Sequence, residues 1–474
     1  MTTRRSFIKQ ATVAATAFTI VPRFVLGKGY QAPSDTLYIA GIGVGGKGES
    51  DLAYFAQSPK VSISFLCDVD ERSAAKSVQT FPKAKYYKDY RKMLDAEHKH
   101  IDAVSVSTPD HMHAVQAMAA MQLGKHVYVQ KPLTHDIYEA RMLTEAAKKY
   151  KVVTQMGNQG ASGDGVRQMR EWYDAGIIGD VHTVQCWTNR PVWPQGIPWP
   201  NKKAEVPKEL DWDLWLGTAP YKDYVEKLVP FNWRGWWDYG TGALGDMACH
   251  IIEPPFRVLG LGYPTEVECS VGSIFVDGTR GYNPESCPPS SHIVMTFPSK
   301  NGKSSVKFHW MDGGIQPERP EELGPNDVMG SGSNGVIMIG TKGKMMCNTY
   351  GINPRLLPLS KTQEVNVPKT IKRVEGGAEP GHYLQWVNGC IAGYGKTELS
   401  SDFALAGPLT ESILMGNLAL RSFDIRKPRP NEPGQFDYPG RFIKLLWDGP
   451  NMKITNFDDA NQFVKRTYRE GYSL

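Results

Sequence analysis

The stretch that most limits how this 474-residue chain can fold is TLYIAGIGVGGKGESDLAYFAQS, where an apolar run meets a helical pattern across a glycine-rich join. Residues 37–40 read as a short buried strand, Gly41, Gly43 and Gly46 stand at G-x-G-x-x-G spacing, and apolar residues then recur at helical intervals. Each glycine answers a packing demand. The first closes the turn, the second lets the backbone approach a diphosphate, and the third lets the helix lie close on the strand. Free N–H groups at the helix start would face that diphosphate. VSISFLCDVDE follows as a second buried strand ending at Asp68, 27 residues beyond Gly41. A carboxylate there can accept from a ribose 2′-hydroxyl and would repel a 2′-phosphate, which favours NAD over NADP. Arg72, close by, argues the other way.

The alternation continues through DAVSVSTP, HVYVQKP and KVVTQMG as strands, with HAVQAMAAMQLG and DIYEARMLTEAAKKY as helices between them. Asp136 and Glu139 sit at capping-box spacing ahead of the second helix. Repeated strand–helix–strand units give a parallel sheet covered on both faces, with ligands at the carboxyl ends of the strands. Thr108-Pro109, Gln130-Lys131 and Asn158-Gln159 fall at those ends. PDHMHA brings Asp110, His111 and His113 close together, but these residues open a helix and no second cluster has ligand spacing, so no metal is expected.

From about Gly160 the pattern changes to strands that alternate apolar and polar, as in DVHTVQCWTN, TEVECSVGSIFV, HIVMTFPS, SSVKFHWMD and GVIMIGTKGKMMC. That is the pattern of an antiparallel sheet with one covered face, so the whole reads as α/β plus α+β. Nine of the twelve tryptophans crowd into residues 172–237, either as sugar-stacking faces or as core. In DYGTGALGDMACHIIEPPF, Asp246 and His250 are four apart on a helix and share a face, either as a capping aspartate with a buried histidine or as a pair that handles protons. Oxidising a sugar hydroxyl requires a base for its proton as hydride leaves the same carbon, and His250 is the candidate. Lys131 could tune or share that proton. Asn158, Arg190, Arg234 and Tyr239 lie at strand ends or in loops near this helix and, with His250, are candidate substrate contacts.

Composition narrows the partners. The formal net charge is +5, and residues 1–30 hold five basic groups (Arg4, Arg5, Lys9, Arg23, Lys28) and no acidic one, so the body is close to neutral. Nucleic-acid binding, which needs a basic surface, is not expected. The arginine pair followed by an apolar run at residues 11–20 has the form of a twin-arginine export leader, so a periplasmic location is expected, or membrane attachment if the leader is retained. No other membrane segment is expected. The seven cysteines are scattered without a CxxC pair, which implies buried thiols.

Together IAGIGVGG, CDVD, STPDHMHA, QKPLTHDIYEAR, GALGDMACH and MGNLALR resemble the glucose-fructose oxidoreductase, inositol dehydrogenase and rhizopine-catabolism (Gfo/Idh/MocA) family. The resemblance implies an N-terminal Rossmann dinucleotide-binding domain over residues 35–158. Residues 159–474 would form an α+β substrate-binding and oligomerisation domain whose open, mostly antiparallel sheet makes homodimers or homotetramers. It implies cofactor contacts at Gly41, Gly43, Val44, Gly45, Gly46, Asp68, Thr108, Pro109, His113, Gln130, Lys131 and Asn158. The family's catalytic trio falls on Lys131, Asp246 and His250. The chain departs from the family at Gln130, where relatives carry glutamate. Because an exported enzyme meets no pool of free NAD, the expected activity on a carbohydrate or polyol hydroxyl is redox-neutral, with NAD kept bound. Oxidation, elimination, hydration and reduction at a glycoside would meet that demand, as would paired sugar oxidoreduction. The alternatives are a conventional sugar dehydrogenase with dissociable NAD(P) and a non-catalytic sugar-binding protein.

Overall fold

A computed structural model describes residues 36–276, 279–298 and 305–474. The segment expected to be an export leader lies outside the described residues.

Five of the strands in the first sheet are those the periodicity indicates: β1 (Leu37–Ile42), β2 (Val61–Cys67), β4 (Ala103–Val106), β5 (His126–Gln130) and β6 (Thr154–Gly157). A sixth, β3 (Lys85–Tyr87), adds to the edge; three half-exposed residues carry too little apolar pattern to announce themselves. The order is β3-β2-β1-β4-β5-β6 and every pairing is parallel. Ile39, Val104, Val127, Val129 and Met156 are fully buried, as expected for strands covered on both faces. The intervening helices include α1 (Lys47–Phe55), α2 (Glu71–Thr80), α3 (Tyr90–Glu97), α4 (His113–Gln122) and α5 (Ile137–Tyr150). The capping box at α5 is formed, with the Asp136 side chain accepting from Glu139 N and the Glu139 side chain accepting from Asp136 N.

The second sheet has nine strands: β7 (Val181–Thr188), β8 (Glu266–Val271), β9 (Ser291–Pro298), β10 (Ser305–Met311), β11 (Asn334–Gly340), β12 (Gly343–Cys347), β13 (Arg355–Leu357), β14 (Leu445–Asp448) and β15 (Lys453–Ile454). Their order is β13-β12-β11-β7-β10-β9-β8-β14-β15, antiparallel except where β7 runs parallel to β10. Along β9, Ser291, Ile293, Met295 and Phe297 are buried while His292, Val294 and Thr296 are half-exposed, so one face is covered and one open. The covered face takes two helices, α7 (Gly242–Ile251) and the long α9 (Phe403–Phe423); α9 packs on α5, α7 and β8. By length and composition α9 could cross a membrane, which the sequence reading overlooks; 83% of its apolar window is buried inside the protein, as befits a core helix. Six of the seven cysteines are buried, and all are free.

A tryptophan-rich segment forms a small core of its own, with Trp212, Trp215, Trp233, Trp236 and Tyr239 at its centre. Backbone bonds dock it on the carboxyl end of the first sheet: Asp211 N donates to Val69 O, and His111 N donates to Tyr239 O. Trp212 and Trp236 are therefore packing rather than free sugar platforms, while Trp215 and Trp233 pack in this core and also border a cleft. Residues 466–474 run across both halves and are held by Arg466, which pairs with the buried Glu139 at 2.7 Å.

Candidate active site

The glycine-rich turn is built as its spacing demands at Gly41 and Gly43, whereas the close helix approach expected of Gly46 is made by Gly48, where a Cβ would collide with Gly43 O. Gly43 has φ 74°, and a Cβ there would lie 2.8 Å from backbone atoms of Ser107 and Thr108 at the end of β4. Gly46 precedes α1 at φ 53° with open space where a Cβ would stand, and it supplies no side-chain cap. The first turn of α1 therefore meets a cleft of about 370 Å³, lined by Gly43, Gly45, Gly46, Lys47, Asp68 and Ser73 on this side. A bare-backbone cradle at an uncapped helix start fits a diphosphate. Gly41 and Val44 shape the turn from behind: Val44 is fully buried and donates its N–H to Asp68 Oδ2 at 2.9 Å.

Asp68 also accepts from Asp70 N at 3.0 Å. Burial lifts its carboxyl to about 6 against these backbone donors, which favour the charge. Arg72 does not face the cleft as a free cation. Its guanidinium is spent on Asp70, Nε at 2.8 Å and Nη2 at 2.6 Å, which removes the argument for a 2′-phosphate.

The carboxyl ends of β4 and β5 bring Thr108, Pro109, Gln130 and Lys131 to the same cleft. His113 stands behind them rather than in the cavity. It is buried, with Nε2 at 2.7 Å from Thr108 O and Nδ1 at 2.8 Å from Pro132 O, so it ties the ends of two strands together. Asp110 likewise serves packing; its Oδ2 accepts from Thr241 N and Oγ1 and so pins the start of α7 from 131 residues away. His111 Nε2 bonds Trp215 O. Asp110, His111 and His113 thus each hold a different neighbour.

On α7, Asp246 and His250 lie one turn apart. Lys131 Nζ donates to Asp246 Oδ1 at 2.9 Å and to Asp246 O at 2.8 Å, and Arg234 Nε approaches the same Oδ1 at 3.4 Å. Burial opposes the Asp246 charge, but Lys131 and Arg234 outweigh it and hold the carboxyl at about 2. Burial, reinforced by the Lys131 charge, pushes His250 well below an ordinary imidazole. Its Nδ1 faces Asn158 Oδ1 at 3.0 Å. Donation there leaves the Nε2 lone pair free to accept a proton. Asn158 is fully buried, and its Nδ2 has no partner among the described residues; Asn158, Asp246 and His250 lie behind Lys131 rather than on the cleft wall itself.

One residue here has no signal in the sequence. Tyr350 packs edge-on against His250 with ring centroids 4.5 Å apart, and it holds φ 66°, a left-handed backbone that a non-glycine residue adopts at a cost. Arg234 lines the cleft and stacks on Trp233, 4.4 Å from its ring centroid. Arg190 does not line the cavity; it bonds Asn189 Oδ1. Tyr239 does not line the cavity: it is fully buried in the aromatic core against Trp215 and Trp199, and its hydroxyl has no partner among the described residues. Trp215, Val229, Pro230, Trp233 and Tyr472 complete the wall, none of them marked beforehand as a site residue.

A glycine cradle on a parallel sheet, joined to a lysine, aspartate and histidine cluster under a second domain, defines an NAD-binding oxidoreductase. Comparison with known proteins agrees. Residues 37–158 match the NAD-binding Rossmann domain of the Gfo/Idh/MocA oxidoreductase family, and residues 173–277 match its C-terminal alpha/beta domain. The chain belongs to that family. It is 25% identical over 208 residues to the levoglucosan dehydrogenase of Pseudarthrobacter phenanthrenivorans, covering 44% of this chain and 45% of that protein. It is 31% identical over 124 residues to a glycosyl hydrolase family 109 protein of Shewanella pealeana, covering 24% and 27%. These matches span less than half the length of either curated relative. The WlbA dehydrogenase of Bordetella pertussis, solved with NADH and UDP-GlcNAcA, superposes with TM-score 0.55 at 15% identity over 84% of this chain and 100% of that one. Levoglucosan dehydrogenase, solved with NADH and L-sorbose, gives 0.53 at 16% over 82% and 98%. At such identities the likeness is one of fold.

Proposed function

We propose that this protein is an exported carbohydrate enzyme that keeps its NAD bound and returns the hydride it removes. The observation that carries this reading is that both halves of the chain line one cleft. The glycine-rich turn and Lys131 line it together with Trp215, Val229, Pro230 and Trp233 from the tryptophan-rich segment and Tyr472 from residues 466–474. A molecule lying there is contacted from both halves of the chain. The names of the two curated relatives, one a dehydrogenase of a sugar anhydride and one a glycosyl hydrolase, support a sugar as substrate. Arg4 and Arg5 support export.

When bound, NAD supplies reversible hydride transfer at a sugar carbon. The residues of the chain handle the protons. Neutral His250, oriented through Nδ1 by Asn158, takes the hydroxyl proton at Nε2. Lys131, anchored by two bonds to Asp246, keeps a further N–H for the oxygen that becomes a carbonyl. A ketone at C3 acidifies the C2 hydrogen; loss of that proton expels the C1 substituent, and water adds across the resulting double bond. Arg234, beside Asp246 and exposed to the cleft, is placed to bind sugar oxygens.

The second reading, a dehydrogenase with dissociable NAD, draws on the levoglucosan dehydrogenase match. The discriminating experiment is native mass spectrometry of protein purified without added nucleotide, paired with aryl-glycoside assays monitored at the NADH absorbance. Retained NAD with glycoside cleavage and no net NADH is expected. Nucleotide-free protein that makes one NADH per free sugar oxidised would replace the first reading with the second.

A further inference from the structure

Below the glycine-rich turn lies a carboxylate that the chemistry above does not use. Asp51 on α1 is fully buried, yet four donors converge on it. Oδ1 receives Lys47 Nζ at 3.1 Å and the Tyr383 hydroxyl at 3.0 Å. Oδ2 receives the Ser107 hydroxyl and Gln130 Nε2, each at 2.8 Å. These partners come from α1, from the ends of β4 and β5, and from the helix at His382–Ala392 in the other half of the chain. An ion withdrawn from water is tolerated only with such a set of partners, and fixing them is what it then does.

Three of the four, Lys47, Ser107 and Gln130, also line the cleft. Gln130 is the informative one. Its Nε2 is committed to Asp51, so the amide carbonyl is turned away from Asp51, and no described residue donates to it. The amide also lies against bare backbone, since a Cβ on Gly157 would come within 2.6 Å of its Cδ and Nε2. Gly157 leads directly to Asn158, the partner of His250. The glutamate that the family resemblance puts at position 130 is thus missing, while a carboxylate stands in hydrogen-bond contact with the residue that replaced it.

We propose that Asp51 is a positioning residue for the bound nucleotide. It supplies from α1 the negative charge that position 130 lacks, holds Lys47 at the cleft wall, and fixes Gln130 so that its carbonyl oxygen meets a donor of the cofactor. The ionisable groups around it are Lys47 on the same helix, Tyr383 with Glu379 behind it, and Tyr128 on β5.

The test moves the charge back. NADH affinity is measured by fluorescence titration on the nucleotide-stripped full chain, from about pH 5 to 8, with thermal melts as the folding control. Asp51→Asn should weaken NADH by about tenfold or more relative to wild type, a loss in keeping with a buried charged hydrogen bond. Gln130→Glu sets two carboxylates in contact, one of which must hold a proton, so its affinity relative to wild type should fall as pH rises. The double variant D51N/Q130E restores one carboxylate and one amide; it should bind within about threefold of wild type at every pH. A folded Asp51→Asn chain that binds like wild type overturns the proposal. So does a double variant that binds NADH no better than Gln130→Glu at pH 8, a comparison that needs no folded Asp51→Asn chain. Because only affinities are compared, the outcome is separate from whether NAD is retained through turnover.

Discussion

His250 owes its chemistry to what surrounds it. Burial and the neighbouring Lys131 charge keep the ring unprotonated, so it is ready to act as a base across the ordinary imidazole range. Because its value is lowered, its contribution to kcat/KM should stay level as pH falls through about 6.5 and drop only as pH passes the lowered value. A pH–rate profile on the aryl glycoside cleaved by wild type checks this; a break near the free imidazole value that disappears in Asn158→Ala would contradict it. His250→Ala should lower kcat by about 10²–10⁴-fold with NADH affinity nearly unchanged, because a general base is lost and no cofactor contact is. The Asp246–His250 spacing is legible in the sequence because one helical turn places both on a face. Tyr350 is not legible: its backbone strain and its packing on His250 arise from the loop after β12, far from any motif.

Among the elements, α1 and α7 show two ways of setting a terminus. The start of α1 is left bare, and Gly43 in the turn leading to it tolerates nothing larger. Gly43→Ala would place a Cβ 2.8 Å from backbone atoms that cannot swing aside, at φ 74°. This should abolish measurable NADH binding and cost about 1–3 kcal/mol of stability, read by titration and by chemical unfolding. The start of α7 is instead pinned from outside, by Asp110 on Thr241. Local turn chemistry is readable from neighbouring residues, which is why the glycine turn and the Asp136–Glu139 box could be anticipated. Asp110 reads locally as a cap for its own helix, and only packing assigns it to another. The edge strand β3 escapes notice because three half-exposed residues carry almost no periodicity.

For the molecule as a whole, residues 466–474 and the tryptophan-rich segment join the two halves over the cleft. Arg466 pairs with Glu139 and also reaches Asp136, both buried. Removing it in Arg466→Met leaves uncompensated buried carboxylates and should cost about 3–5 kcal/mol in urea unfolding. Tyr472, on the cleft wall and over Arg91 at 5.0 Å, should matter differently. Tyr472→Ala is expected to speed NADH release in stopped-flow displacement while shifting the melting temperature little; an unchanged release rate would remove Tyr472 from the retention scheme. The open face of the second sheet, where His292, Val294 and Thr296 are half-exposed, is where the self-association that the family resemblance implies would be expected. Light scattering measures that association.

What neighbouring residues encode was visible in the chain alone: the parallel sheet, the cradle for a dinucleotide, the one-turn spacing of Asp246 and His250, and the change to alternating strands. These follow from periodicity and turn chemistry, which act over a few residues. The partnerships that make the site work join residues 115 apart in Lys131 with Asp246, 92 apart in Asn158 with His250 and 79 apart in Asp51 with Gln130. No local rule specifies those pairs. They form because packing, within the first half for Asp51 and Gln130 and between the halves for the other two pairs, buries polar and charged groups that must then find one another.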